Sequence, residues 1–354
     1  MKKNSRSWTT TALQIGAAIA LPTAAGWIAY SAVAVPHNVT PPLAIKARWR
    51  SLFSRAGRID FCVDGAGPPL LLIHSVNAAA SAFEVAPLFY RLMQTNRVYA
   101  LHLPGFGSSD RSRRNYTVTL FVDAILDMVA FIQGENESQP VDALALSLSA
   151  EFLALAAVIA PERFRTIALV APSGLTRNAS STASQPGSRA AHATATLQSN
   201  VMTAALECPL WKQALFDLLV TKQSVRYFLR RAWGEASIDE SLFRYAYLTA
   251  HRSDACHAPI AFLSGGLFSR NIRAIYQSLT LPVACYLASR GAFHEQSSDE
   301  SLGFGDNWTN KRLGTGALPQ FEQPARFARD YRMFLDSPER MIATDIRAHV
   351  LLHG

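Results

Sequence analysis

Between residues 58 and 174 the chain alternates short, mostly apolar runs with longer stretches whose apolar positions recur at helical spacing. The runs Arg58–Val63, Leu70–Ile73, Val98–Leu103, Val141–Leu146 and Thr166–Val170 have strand length, and runs apolar at nearly every position predict strands buried on both faces. Val118–Ile132 places Leu120, Phe121, Ala124, Ile125, Met128 and Phe131 on one helical stripe. A second helix begins near Ser149, with Phe152, Leu153 and Ala156 at helical spacing. Strands alternating with helices build right-handed βαβ units, so the expected class is α/β with a mostly parallel sheet.

The rhythm breaks at Leu175. Residues 176–200, rich in Ser, Ala, Thr and Asn, predict a loop. Residues 201–275 read as helices rich in aromatics, among them Trp211, Phe216, Tyr227, Phe228 and Trp233, which either pack this insertion onto the sheet or line a cleft. Pro282–Leu287 restores a strand, Trp308–Thr315 predicts a weaker last one, and Gln323–Leu335 a final helix. The expected division is 1–45 as N-terminal anchor and linker, 46–174 as the first part of the core and 175–275 as a helical cap. The second part of the core is expected over 276–340, with a tail over 341–354.

The N-terminal segment changes the picture. Residues 7–45 carry no Asp, Glu, Lys or Arg, and Ala12–Val35 is almost continuously apolar. At about 1.5 Å per residue such a helix spans a hydrocarbon core of about 30 Å. Lys2, Lys3 and Arg6 precede it, and Lys46, Arg48 and Arg50 follow. These features predict a single-pass membrane anchor, kinked near Pro22 and projecting from the globular body. The alternative is an exported protein whose signal peptide is cleaved after Ala32-Val33-Ala34.

A hydrophobic content of 49% with 17% charged residues suits a folded chain with a large core. The net charge of +8 invites a nucleic-acid partner, but no basic run is interleaved with aromatics, so none is expected. The four cysteines, Cys62, Cys208, Cys256 and Cys285, lie far apart without metal-binding spacing, and no metal or cofactor is expected.

Candidate chemistry centres on Val141–Ala157, where a serine, Ser147, falls between strand and helix in the run Ala145-Leu146-Ser147-Leu148-Ser149. Such a serine is either an ordinary helix N-cap or a nucleophile elbow in which Ala145 and Ser149 replace the two glycines. Two further motifs precede it. Leu71-Leu72-Ile73-His74-Ser75-Val76 is similar to an L-L-x-H-G loop, and Leu103-Pro104-Gly105-Phe106-Gly107-Ser108-Ser109-Asp110 to a D-L-P-G-F-G-x-S-D turn with His102 in place of the leading Asp. In order and spacing, the three together resemble the α/β-hydrolase fold superfamily over residues 58–174, and over 276–336 less closely.

The resemblance implies that Ser147 is the nucleophile, that the backbone N–H groups of Val76 and Leu148 form an oxyanion hole, and that His74 is structural. It also implies two empty slots. The acid position in Ser289-Arg290-Gly291-Ala292-Phe293 holds Ala292, with Glu295 and Asp299 nearby. The histidine position in Gly316-Ala317-Leu318-Pro319-Gln320-Phe321-Glu322 holds Ala317, and no histidine occurs between His294 and His349. His294 is the foremost substitute base, with His251 and His257 of the insertion behind it. The expected partner is a small-molecule substrate or ligand. Three readings stand: a membrane-anchored serine hydrolase of small ester or acyl compounds, a non-catalytic relative binding an apolar molecule under its cap, and a partner-binding membrane scaffold.

Overall fold

The computed structural model describes residues 23–175, 204–235, 237–291 and 305–338. In chain order the strands are β1 (Arg48–Ser54), β2 (Gly57–Asp64), β3 (Pro69–Ile73), β4 (Arg97–Leu101), β5 (Val141–Leu146), β6 (Phe164–Val170), β7 (Val283–Leu287) and β8 (Trp308–Arg312). They form one sheet in the order β1-β2-β4-β3-β5-β6-β7-β8. β1 and β2 pair antiparallel, as do β2 and β4, and from β4 to β8 every pair is parallel.

Alternation along the central strands divides the core in two. Leu71, Ile73, Ala143 and Ala145 point to one face and Leu70, Leu72, Leu144 and Leu146 to the other, and all are buried. The first face is covered by α2 (Val118–Glu135) and α3 (Ser149–Ile159), whose Phe121 and Phe152 rings stack at 4.8 Å. The second carries α1 (Ala86–Leu92) and, at the C-terminal end, α10 (Pro324–Asp336). Among the described residues between β6 and β7 lie the helices α4 (Lys212–Leu219), α5 (Lys222–Trp233), α6 (Glu240–Ala250), α7 (His257–Leu263) and α8 (Ile272–Gln277). A single turn, α9 (Pro319–Glu322), precedes α10.

The strand β1 and the helix α1 are absent from the sequence reading. β1 is an edge strand with Phe53 82% exposed, and its arginines resemble a membrane flank. Arg50 instead bonds Glu135 at 2.5 Å and lies over the Phe131 ring at 4.9 Å.

The expected anchor helix over Ala12–Val35 requires correction where it can be seen. Residues 23–34 are helical but do not project from the body. Trp27 Nε1 donates to the Ala214 carbonyl at 2.7 Å, and Ser31 Oγ donates to Asp217 at 2.5 Å, so this segment lies along α4. His37 Nε2 also meets Asp217 at 2.8 Å. These polar contacts hold the helix against the globular body. Among the described residues no helix is long and apolar enough to cross a membrane. Residues 12–22 lie outside the described residues.

Candidate active site

β5 delivers Ser147 to a sharp turn, half-buried, with φ at +52°. A residue with a Cβ in this region carries strain of about 1 kcal/mol or more, retained only where surrounding structure imposes it. Here Ser147 N–H donates to the Val170 carbonyl at 2.9 Å, and its own carbonyl accepts from Ala150 N–H at 3.1 Å. Ser149 stands where a glycine was expected. Its buried hydroxyl donates to the His74 carbonyl at 2.6 Å, tying the start of α3 to the loop after β3. The substitution therefore supplies a tether instead of a conformational freedom.

That loop is pinned from below by Glu84. Its carboxylate accepts from Ser75 N–H at 2.8 Å and from the Asn77 amide at 3.1 Å, and Gln320 Nε2 donates to the Glu84 carbonyl at 3.0 Å. Burial pushes the Glu84 carboxyl above the usual range, against those hydrogen bonds. Neither Val76 N–H nor Leu148 N–H, each expected at the oxyanion hole, has a hydrogen-bond acceptor among the described residues.

His74 accepts from Leu103 N–H through Nε2 at 3.0 Å, and Nδ1 donates to the Ser75 carbonyl at 2.6 Å. Both ring nitrogens are committed, the tautomer is fixed as neutral, and burial lowers the imidazole pKa to about 4. It has no lone pair left for Ser147. His102, at the position expected of an Asp, stacks on Trp49 at 5.0 Å and accepts from Ala82 N–H at 3.2 Å. Gly107 lies so close to this ring that a Cβ would sit 1.9 Å from Nδ1.

The opposite side of the site is built differently. Ala317 packs with Ala171, Ala288 and Ala232, the last belonging to α5 of the insertion. Ala317 N–H donates to the Ala232 carbonyl at 3.0 Å, and a Cβ on Gly316 would stand 2.3 Å from the Trp233 carbonyl oxygen. Gly316 N–H in turn donates to Glu322 at 2.9 Å, and Glu322 and Glu235 both pair with Arg290. The C-terminal turn of α5 thus closes against the loop that would carry a triad histidine. Ala292, His294, Glu295 and Asp299 lie outside the described residues.

A family profile described as the alpha/beta hydrolase fold matches residues 68–229. The chain has the α/β-hydrolase fold. No curated protein matches it by sequence. Its fold is similar to a membrane phospholipase A, described as a bacterial virulence factor, at TM-score 0.62 and 18% identity, covering 93% of this chain and 97% of that one. It is similar to a serine hydrolase of carbazole degradation at TM-score 0.60 and 16% identity, covering 82% and 99%. An esterase from Thermogutta terrifontis matches at TM-score 0.60 and 16% identity, again covering 82% and 99%.

Within this α/β-hydrolase fold the other candidate bases are engaged in the insertion. His251 Nδ1 donates to the Tyr247 carbonyl at 2.7 Å, while the His251 carbonyl accepts from Val39 N–H. His257 Nδ1 meets Lys212 Nζ at 2.8 Å and Nε2 stands 3.5 Å from Asp254; burial and the Lys212 charge lower its pKa. Sequence reading passed over Glu151 and Glu84. Glu151, four residues after Ser147, accepts from Ser173 Oγ at 2.5 Å and from Ser269 N–H at 2.8 Å, joining α3 to both ends of the insertion. Its position on the inner side of an otherwise apolar helix is the one signal that marked it. Among the described residues no three His, Cys, Asp or Glu side chains gather into a metal-ligand set.

Proposed function

We propose that this chain binds small ester or acyl compounds at the Ser147 elbow, beneath a cap formed by residues 175–275, and turns them over only slowly. The observation that carries this reading is the bond from Ala317 N–H to the Ala232 carbonyl. It sets cap backbone against the position from which the fold's histidine reaches the serine. Ser147 is the acyl-binding nucleophile, Val76 and Leu148 N–H hold the oxyanion, and the usual proton acceptor and its acid partner are missing at Ala317 and Ala292. A serine hydroxyl without a base loses on the order of 10⁴- to 10⁶-fold in rate. In this reading the apolar stretch over residues 12–35 carries the protein to a membrane, a location that its composition suggests. Residues 23–34 are the part of it that docks on the cap, and export after cleavage at Ala32-Val33-Ala34 is the competing outcome.

One observation favours a second reading. Ser147 keeps a strained φ of +52°, which simple ligand binding does not require. In that reading His294 supplies the base. Labelling with a fluorophosphonate, which reports serine nucleophilicity, separates the two. The proposal expects labelling at Ser147 no faster than at surface serines. Rapid labelling lost in both Ser147→Ala and His294→Ala would establish the second reading.

A further inference from the structure

A cleft of about 520 Å³ opens between the turn Gly107–Ser112, the linker Asn38–Thr40 and the turn Arg252–Asp254. Five charged side chains line it, and two of them, Arg58 and Asp110, have oppositely charged partners. Arg58 pairs with Asp60 and donates to the Ser108 carbonyl. Asp110 pairs with Arg114 and accepts from Ser112 N–H at 2.8 Å. Asp254 is an exposed carboxylate at the rim, 3.5 Å from His257, whose lowered pKa keeps the imidazole neutral.

Arg111 and Arg252 are left. Arg111 is only 9% exposed, and its donors reach neutral groups alone: the Gly107 carbonyl at 2.9 Å, the Thr249 carbonyl at 3.3 Å and Thr249 Oγ1 at 3.4 Å. A guanidinium has five N–H donors, so donors remain that these three bonds do not use. Arg252 is half-buried, and its side chain has no hydrogen bond or ion pair among the described residues. Burial, reinforced by the like charge of Arg252, lowers the Arg111 pKa to about 9. Two guanidiniums facing one cavity, neither of them ion-paired among the described residues although the Asp254 carboxylate lies at the same rim, are costly unless an anion joins them.

We propose that this cleft is an anion site in which Arg111 and Arg252 together hold a phosphate group. A tetrahedral oxyanion offers acceptors in several directions, so it satisfies two guanidinium forks that a planar carboxylate would meet less well. The group is carried by free phosphate, a phosphomonoester or a lipid headgroup. The site is independent of Ser147 and of any acyl chemistry there.

The test compares melting of the full-length wild type and Arg252→Gln in inorganic phosphate and in chloride at equal ionic strength. Arg252 makes no hydrogen bond or ion pair among the described residues that its replacement would break. Binding to the folded state raises the melting temperature in proportion to ligand occupancy. We expect phosphate to raise it for wild type, and Arg252→Gln to lose that shift while melting at or above wild type in chloride, since a like-charge contact is relieved. Ser147→Ala should respond to phosphate as wild type does. Vesicles of phosphatidylcholine with and without phosphatidic acid separate the sources. Capture enhanced by phosphatidic acid in wild type but not in Arg252→Gln assigns a headgroup, and equal capture with a retained phosphate shift assigns a soluble phosphate. Equal shifts in phosphate and chloride, or a phosphate shift that survives Arg252→Gln, would overturn the proposal.

Discussion

Ser147 holds its backbone where a side chain is disfavoured, and the cost of that conformation is measurable. Ser147→Gly should raise stability to urea by about 0.5–1 kcal/mol, whereas Ser147→Ala, which keeps a Cβ, should leave it within a few tenths. Equal values for the two variants would show that the turn is unstrained. Gly316 makes the complementary case, because its added Cβ would meet the backbone carbonyls of Trp233 at 2.3 Å and Ala232 at 2.6 Å. Gly316→Ala should cost about 2 kcal/mol, and Ala317→His, which must displace Ala232, about 1–3 kcal/mol. Calorimetric melting checks both. For that reason, restoring a histidine at Ala317, even with Ala292→Asp, should not restore activity until α5 moves. The elbow was legible because a strand, a serine and a helix succeed one another in the sequence. The role of Ser149 was not, since a glycine-to-serine change reads as loss until its hydroxyl is seen on the His74 carbonyl.

At the scale of elements, the loop after β3 and the turn after β4 are held by two neutral imidazoles. His74 and His102 each accept a backbone N–H, so protonation removes the acceptor. Burial lowers His74 to about 4 and His102 well below its ordinary value. Between pH of about 6.5 and about 4 the unfolded chain binds protons that the native state refuses, so stability must fall as pH falls through this window. His74 alone corresponds to about 3 kcal/mol. Glu84 and Glu151, whose carboxyls are raised by burial, act in the opposite sense and offset part of the loss. Urea midpoints measured from neutral pH down to about 4.5 should decline, and decline less in His102→Gln; a flat or rising profile would contradict this account. The parallel strands β3 to β7 were legible as apolar runs, because both faces are covered. β1 was hidden by its arginines, and α1 by the absence of a polar stripe: Ala86, Leu88, Phe89 and Leu92 are all buried in a seven-residue segment.

For the molecule as a whole, the sequence shows one apolar stretch over residues 12–35, of which the structure describes residues 23–34. Residues 23–34 find polar partners on α4, which no hydropathy pattern discloses. Removing residues 1–22 should abolish co-sedimentation with phosphatidylcholine vesicles and leave the melting temperature unchanged. Removing residues 1–34 should also lower it, by uncovering Asp217. The way the insertion closes on the site was equally hidden, because it depends on backbone atoms of α5 meeting the loop around Gly316. The central claim is that the Ser147 elbow persists without its base. It is tested most directly by kcat/KM for p-nitrophenyl acetate in wild type, Ser147→Ala and His294→Ala. The account predicts wild type within about tenfold of Ser147→Ala, and His294→Ala indistinguishable from wild type. A wild-type rate about 10⁴-fold or more above Ser147→Ala, collapsing in His294→Ala, would contradict it.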